Sequence, residues 1–64
     1  MTSAKLFEML EKINDELFLI RETISSSQVK SGYDKSFKEG SVRFINQAMS
    51  NISNAQNELS RYRF

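Results

Sequence analysis

The chain has 64 residues, a formal net charge of +1 and a hydrophobic fraction of 39%. A domain of this size buries a marginal core and usually depends on disulfides, a metal or self-association for stability. Cysteine and histidine are both absent, which excludes disulfides and zinc sites of the usual ligand type. We therefore expect one domain, spanning residues 1–64, that is stabilised by self-association.

No apolar run approaches the roughly 18 residues that a membrane-spanning helix needs. The first five residues, 1–5, lack the basic and then hydrophobic layout of a signal peptide. With a net charge of +1, nothing attracts the whole chain to a membrane surface. We expect a cytoplasmic protein without membrane contact, and export without a cleaved signal stays open.

The first predicted element is an amphipathic helix over about residues 4–26. Its end signals are Ser3, a suitable N-cap, and the serines at 25–27, where the periodicity stops. Between them, apolar residues recur at alternating spacings of 4 and 3, which predicts a heptad seam. The predicted seam consists of Leu6, Leu10, Ile13, Leu17, Ile20 and Ile24.

Helix 1 also carries apolar residues that this seam cannot accommodate. Phe18 and Leu19 follow Leu17 directly, and on a helical projection they lie more than about 100° from the centre of the seam, as Phe7 nearly does. Two interpretations are open. The helix is packed on two sides inside a bundle, or Phe18 is the centre of a ridge that binds a partner.

Four acidic residues share the outer side of helix 1 with Phe18. Their spacing suits a solvated face, an acidic and aromatic docking strip, or, if buried, a metal or acid–base site. Metal sites in helix bundles use Glu-x-x-His ligands, and the chain has no histidine. We therefore expect no metal or cofactor at Glu8, Glu11, Asp15 and Glu22.

A second helix is predicted over about residues 35–62, capped by Asp34 and containing Gly40 in its interior. A shorter helix capped by Ser41 is the alternative, and the longer one is favoured because Phe37 then joins the seam in phase. The predicted seam is Phe37, Ser41, Phe44, Ala48, Ile52, Ala55, Leu59 and Tyr62, with Val42, Ile45 and Met49 as an adjoining ridge. The fold class is all-α, an antiparallel two-helix hairpin that assembles into a four-helix-type oligomer.

Residues 44–57 of the second helix contain no charged side chain. Exposed helices usually favour Glu, Lys and Arg, so this surface is either covered by another chain or reflects the codon bias of an AT-rich genome. Ala48 and Ala55, seven residues apart, would let another helix approach closely. We assign the oligomer or partner interface to Phe7, Phe18, Leu19, Val42, Ile45, Met49 and Phe64.

The connector and the start of helix 2 concentrate positive charge. Residues 1–26 carry three bases and five acids, and residues 27–64 carry six bases and three acids. The basic residues alternate with aromatic ones, a combination that contacts nucleotides or RNA. The candidate contacts for an anion or nucleotide are Lys30, Tyr33, Lys35, Lys38 and Arg43, and the simpler interpretation is a solvated loop.

Catalysis is not expected, because the chain lacks histidine and cysteine and no serine lies in a nucleophile elbow. Two classes of function remain. The first is a non-catalytic protein–protein interaction module of the adaptor, co-chaperone or inhibitor type, with further copies of itself or a helical protein as partner. The second is an oligomer that binds a nucleotide or anion, or contacts RNA, through the basic connector.

In length and order of elements the chain resembles the helical-hairpin co-chaperones of type III secretion needle subunits. It resembles equally the hairpin dimers that regulate plasmid copy number. Both resemblances imply a small helical regulator that works by pairing helices, and neither assigns a role to a particular residue. Small phage-encoded inhibitors of bacterial enzymes are a further subclass of the same kind.

Overall fold

The protein folds as an antiparallel pair of α-helices in a computed structural model that describes residues 1–62. Helix α1 spans Ser3–Ser26 and helix α2 spans Gly32–Arg61, and within the described residues there is no strand. The hairpin is a rod with extents of 50 × 15 × 12 Å. The predicted all-α hairpin is therefore confirmed, while Phe64, a predicted interface residue, lies outside the described residues.

Helix α1 begins one residue before its predicted start, and α2 begins three residues before its predicted start. The Thr2 side chain, and not that of Ser3, caps α1 by accepting a hydrogen bond from the backbone N–H of Lys5 at 3.1 Å. The Ser31 side chain, and not that of Asp34, caps α2 by accepting from the N–H of Asp34 at 3.1 Å. The predicted N-caps, Ser3 and Asp34, were therefore wrong. Thr2 and Ser31 cap the helices because a side-chain hydroxyl on extended backbone can accept a hydrogen bond from the free N–H three residues later in the chain.

Gly40 lies inside α2, as the longer of the two predicted helices requires. Asp34 instead occupies the first turn of the helix, where a carboxylate is favourable next to the positive end of the helix dipole. Ser31 and Asp34 together have the S-x-x-D spacing of a capping box. That spacing is the sequence signal that marks the observed start of α2.

Side-chain hydrogen bonds fix the register of the two helices. Asn14 Nδ2 donates to Ser53 Oγ at 3.4 Å, and Arg21 Nη1 donates to Asn46 Oδ1 at 2.7 Å. At the open end of the hairpin, Gln56 Nε2 donates to the Phe7 carbonyl at 3.2 Å. Residue 46 therefore lies level with residue 21 and residue 53 with residue 14, whereas the long side chain of Gln56 reaches about one helical turn along α1 to the Phe7 carbonyl.

The connector between the helices is short, and backbone carbonyl oxygens at its start accept two hydrogen bonds. The Ser27 N–H donates to the Ile24 carbonyl at 3.1 Å, which ends α1. Lys38 Nζ reaches back from α2 and donates to the Ser27 carbonyl at 2.7 Å. The described residues contain no positive φ angle, so the reversal of the chain direction does not depend on glycine.

Within the part of the chain that the structure describes, the hairpin has no hydrophobic core of its own. No hydrophobic side chain among residues 1–62 is buried, and Gln56 is the buried polar residue, at 8% exposure. The half-buried positions of α1 nevertheless repeat at spacings of 3 and 4, as expected of a helix that packs on one neighbour. They are Ser3, Phe7, Leu10, Asn14, Leu17, Arg21 and Ile24, with Leu6 beside them.

The corresponding positions of α2 follow the same rule. Lys38, Val42, Ile45, Met49, Ile52, Gln56 and Leu59 are half-buried or buried and repeat at spacings of 4 and 3. We refer to these two sets of positions as the inter-helix seam. The seam mixes aliphatic side chains with Asn14, Arg21, Lys38 and Gln56, so polar side chains take part in the contact between the helices.

Candidate functional site

The predicted seam and the observed seam differ by a rotation of each helix. In α1, Asn14 and Arg21 lie at the seam, whereas Ile13 and Ile20, which were predicted there, are 45% and 48% exposed. In α2, Phe37 and Phe44 were predicted at the seam and are 71% and 63% exposed. The assignment of these four apolar residues to the hairpin interior was therefore wrong.

A physical reason for the rotation lies in the polar residues. Arg21 and Gln56 each have a hydrogen-bond acceptor across the seam, and Asn14 donates to Ser53. Turning the isoleucines inward would return Asn14 and Arg21 to water and break their hydrogen bonds to α2, so these bonds favour the observed rotation by the modest net energy of a hydrogen bond, about 0.5–1.5 kcal/mol each. The hairpin by itself thus pairs Arg21 and Gln56 across the seam and leaves Ile13, Ile20, Phe37 and Phe44 exposed.

Five exposed apolar residues of the two helices lie on one side of the hairpin. At about 100° per residue, Met9, Ile13 and Ile20 project about 65° to 105° from the centre of the α1 seam. Phe37 and Phe44 project about 95° to 115° from the centre of the α2 seam, in the same sense of rotation. In both helices the offset runs against the direction in which the chain winds. When two antiparallel helices face each other, offsets in the same direction relative to each chain place the side chains on the same side of the rod.

We call this side of the hairpin the apolar face. Small side chains continue its α2 half toward the C-terminus, where Ala48 is half-buried and Ala55 is exposed. The α2 half therefore runs from large to small along the helix. The apolar face consists of Met9, Ile13, Ile20, Phe37, Phe44, Ala48 and Ala55.

The opposite side of the hairpin is polar and carries Phe18. The Phe18 ring is 45% exposed, and the Arg21 guanidinium lies over it at 4.9 Å from the ring centroid. Arg21 also donates to Glu22 at 3.4 Å, the ion pair that the structure shows among residues 1–62. The ring of Phe18 is thus partly covered within the chain by a cation–π contact.

The four acidic residues that were predicted to share the outer side of α1 with Phe18 are all exposed, as a solvated face requires. Among residues 1–62 no group of three carboxylate, histidine or cysteine side chains is placed to hold a metal ion. Glu8 borders a groove of about 470 Å³ at the open end of the hairpin, which Phe7, Leu59 and Tyr62 also line. This groove is open to solvent and mostly apolar.

The predicted interface residues are spread over several sides of the hairpin. Val42, Ile45 and Met49 are half-buried at the inter-helix seam, and Phe7 is half-buried beside the groove at the open end. Phe18 lies on the polar side, and Leu19, 65% exposed, projects away from α2. The structure thus does not bring the described members of the predicted interface together on one face. All residues of the apolar face except Met9 had been predicted at the seams between the helices.

The predicted anion or nucleotide contacts are gathered only in part. Lys38 and Arg43 line a groove of about 440 Å³, which Glu39 and Val42 also line. The Lys38 ammonium already donates to the Ser27 carbonyl, and the Arg43 guanidinium lies 5.2 Å from the centroid of the Phe44 ring. The remaining predicted contacts, Lys30, Tyr33 and Lys35, are exposed and do not line this groove.

Comparison with known proteins offers no template for this surface. The chain matches no protein-family model, no curated protein and no solved structure. Neither α1 nor α2 has the apolar composition over the length that crossing a membrane requires. What the surface can do therefore follows from its geometry.

Proposed function

We propose that this protein is a small non-catalytic interaction module that works by docking its apolar face against helices of another chain. Further copies of itself and a helical protein of the adaptor, chaperone-client or enzyme type are the two kinds of partner. The observation that carries the proposal is the apolar face itself. It presents three aliphatic and two aromatic side chains on a rod whose own seam buries no hydrophobic residue within the described chain.

Energetics supports this proposal. Removing apolar surface from water contributes about 25 cal/mol per Å², and that contribution is small while every large side chain stays partly exposed. An antiparallel helix pair of this length is marginal in water without tertiary packing. Docking on another helical surface would supply the missing burial, as helix-in-groove recognition does in other systems.

The shape of the face suits a helix as partner. The two stripes run along the rod, so a helix that lies along either stripe can pack on it by ridges and grooves. The small side chains of Ala48 and Ala55 let a backbone approach α2 closely. A binding role requires no residue that ionises or attacks, which fits a chain without histidine or cysteine.

A direct test compares the wild-type chain with Phe44→Asp and with Asn54→Asp. Both substitutions add one carboxylate to α2, but Phe44 lies on the apolar face and Asn54 on the outer side of the helix. We expect the wild type to sediment above its monomer mass of 7.4 kDa or to bind a purified helical partner. Phe44→Asp should abolish either behaviour, and Asn54→Asp should preserve it.

The contrary result is also defined. If the wild type is a monomer whose cooperative unfolding does not depend on concentration, and no helical protein shifts its mass, the docking function is wrong. If the Phe44→Asp and Asn54→Asp variants have the same sedimentation mass and the same partner binding, the proposal is also wrong, because the apolar face would then contribute nothing to docking.

A further inference from the structure

We infer that the occupant of the apolar face is a second copy of this chain, bound with its α2 helix antiparallel to the first α2. This inference rests on the proposed docking function and specifies its partner and geometry. Three observations support it: the amount of exposed surface, the order of large and small side chains along α2, and the position of Ile20.

The exposed surface matches what one dimer interface removes. A compact monomer of this mass would expose about 4200 Å², whereas the hairpin exposes 5183 Å². The difference is about 1000 Å² per chain. A standard interface buries about 800 Å² from each partner, so one isologous contact is sufficient to bring the exposed surface to the usual range.

The apolar face of α2 is complementary to itself when reversed. Its four positions read large, large, small, small, as Phe37, Phe44, Ala48 and Ala55. In an antiparallel pair centred near residue 46, Phe37 lies opposite Ala55 of the partner copy, and Phe44 lies opposite its Ala48. Two-fold symmetry then repeats each contact, because residue i meets residue j and residue j meets residue i.

In this pairing each phenylalanine ring lies over an alanine of the partner copy, whose small side chain leaves space for the ring. Interdigitation of large with small side chains is how helix surfaces reach the packing density of protein interiors. Ser41 would lie opposite Asn51 of the partner copy in the same arrangement, so the polar residues between the rings also meet polar residues.

The register of the hairpin places Ile20 at the same two-fold axis. The hydrogen bond from Arg21 to Asn46 sets residue 46 level with residue 21. An axis that passes level with residue 46 therefore runs beside Ile20, which is 48% exposed on the apolar face. Ile20 would then meet its own copy, and α1 would pack on α1 of the partner while α2 packs on α2, as in a four-helix bundle.

The test exploits the distance between Phe37 and Ala55 within one chain. They are about 27 Å apart along α2 at 1.5 Å per residue, so no contact inside the chain can couple them. The variants are Phe37→Ala, Ala55→Phe and the double variant that carries both substitutions. Dimer dissociation constants are measured by sedimentation equilibrium, and helicity by circular dichroism.

We expect each single substitution to weaken the dimer by about tenfold or more, one by leaving a void and the other by a clash of two rings. The double variant should recover affinity to within about threefold of the wild type, because each new ring lies opposite a new alanine. As a control, Phe37→Ala combined with Asn54→Ala, on the outer side of α2, should recover nothing.

Each other outcome overturns the inference in a distinct way. If the double variant loses as much dimer affinity as the two single variants together, the α2 helices pair in another arrangement. The proposed docking function would still hold in that case. A monomeric wild type that binds a purified helical protein through Phe44 replaces the second copy by that protein. A monomeric wild type that binds no helical protein overturns both the inference and the proposed function.

Discussion

The inter-helix seam of this hairpin holds polar side chains among its aliphatic ones, whereas the apolar face holds large apolar side chains that are exposed. The seam contains Asn14, Arg21 and Gln56, of which Gln56 is buried. The apolar face, which is open to water in the single chain, contains Ile13, Ile20, Phe37 and Phe44 at 45% to 71% exposure. The contrast teaches that the hydrogen bonds at the seam specify register, while the half-buried aliphatic side chains there leave hydrophobic stabilisation that a covered apolar face would add.

The largest effect is expected from Ile20→Asp, with Phe18→Asp as a matched comparison. The two residues lie two positions apart in α1 and are 48% and 45% exposed, but they project to opposite sides of the hairpin. An aspartate at position 20 would put two unpaired carboxylates together at the axis of the dimer, which is strongly unfavourable without water. We expect Ile20→Asp to convert the assembly to monomers and to lower helicity sharply.

Phe18→Asp should retain the assembly, since only the cation–π contact with Arg21 and part of the solvated surface are altered. That contact is worth about 0.5–1 kcal/mol at an exposed site. Sedimentation velocity and circular dichroism of the two variants provide the comparison. Should Phe18→Asp dissociate the protein and Ile20→Asp leave it intact, the partner surface is the ridge around Phe18 and not the apolar face.

The second prediction concerns the polar seam. Asn14 Oδ1 is a buried oxygen that has no hydrogen-bond partner within the described residues, and such an atom costs about 1–3 kcal/mol. Asn14→Leu removes it and should raise the free energy of unfolding by about 1 kcal/mol, measured by urea denaturation at fixed protein concentration. Because single polar residues in a heptad seam fix register, the more stable variant should also show more than one oligomeric species in native mass spectra.

Asn54→Leu, on the outer side of α2, is the control for Asn14→Leu. It adds the same apolar group without removing a buried oxygen, so its free energy of unfolding should change by less than about 0.5 kcal/mol. A loss of stability in Asn14→Leu would show that the hydrogen bond to Ser53 outweighs the unpaired oxygen.

The sequence was sufficient to predict both helices, their antiparallel order and the location of Gly40 inside α2. It was not sufficient to predict their rotation. Leu10, Leu17 and Ile24 belong to the predicted and to the observed α1 seam, so the choice lies between Ile13 and Ile20 on one side and Asn14 and Arg21 on the other. Apolar periodicity favours the isoleucines, and only the hydrogen bonds across to α2, which depend on register, favour the polar pair.

The dependence on register also explains why three predicted interface residues of α2 lie at the seam. The sequence predicts an apolar arc on α2 that is broader than one helix–helix contact needs. Which edge of that arc faces α1 depends on the partner helix and cannot be read from α2 alone. Val42, Ile45 and Met49 form one edge and lie at the seam, and the edge with Phe37 and Phe44 is exposed. If a second hairpin covers the exposed edge, both edges are buried and the width of the arc is explained.

A third, smaller effect is expected from Gly40→Ala. Gly40 lies in the interior of α2, and a methyl group built on it would meet no atom within 4 Å. Alanine is favoured over glycine by about 0.8–1 kcal/mol in a helix interior. The free energy of unfolding should rise by up to that amount with oligomeric state unchanged, and a weaker dimer would indicate that the partner backbone approaches position 40. Gly32→Ala, also open in space but at the first helical position, should change stability less.

The smallest effect is expected at the hydrogen bond between Arg21 and Asn46, which is the direct measure of register at the proposed axis. Arg21→Ala, Asn46→Ala and the double variant form a double-mutant cycle, and a partly exposed charged hydrogen bond should give a coupling energy of about 0.5–1 kcal/mol. Coupling of that size confirms that residues 21 and 46 are level with each other in solution, whereas additive losses would mean a different register and would displace Ile20 from the axis. Because Arg21 also covers Phe18, the cycle is repeated with Phe18→Leu, in which the cation–π contact is removed. The coupling to Asn46 should persist there, since the hydrogen bond at 2.7 Å does not depend on the aromatic ring.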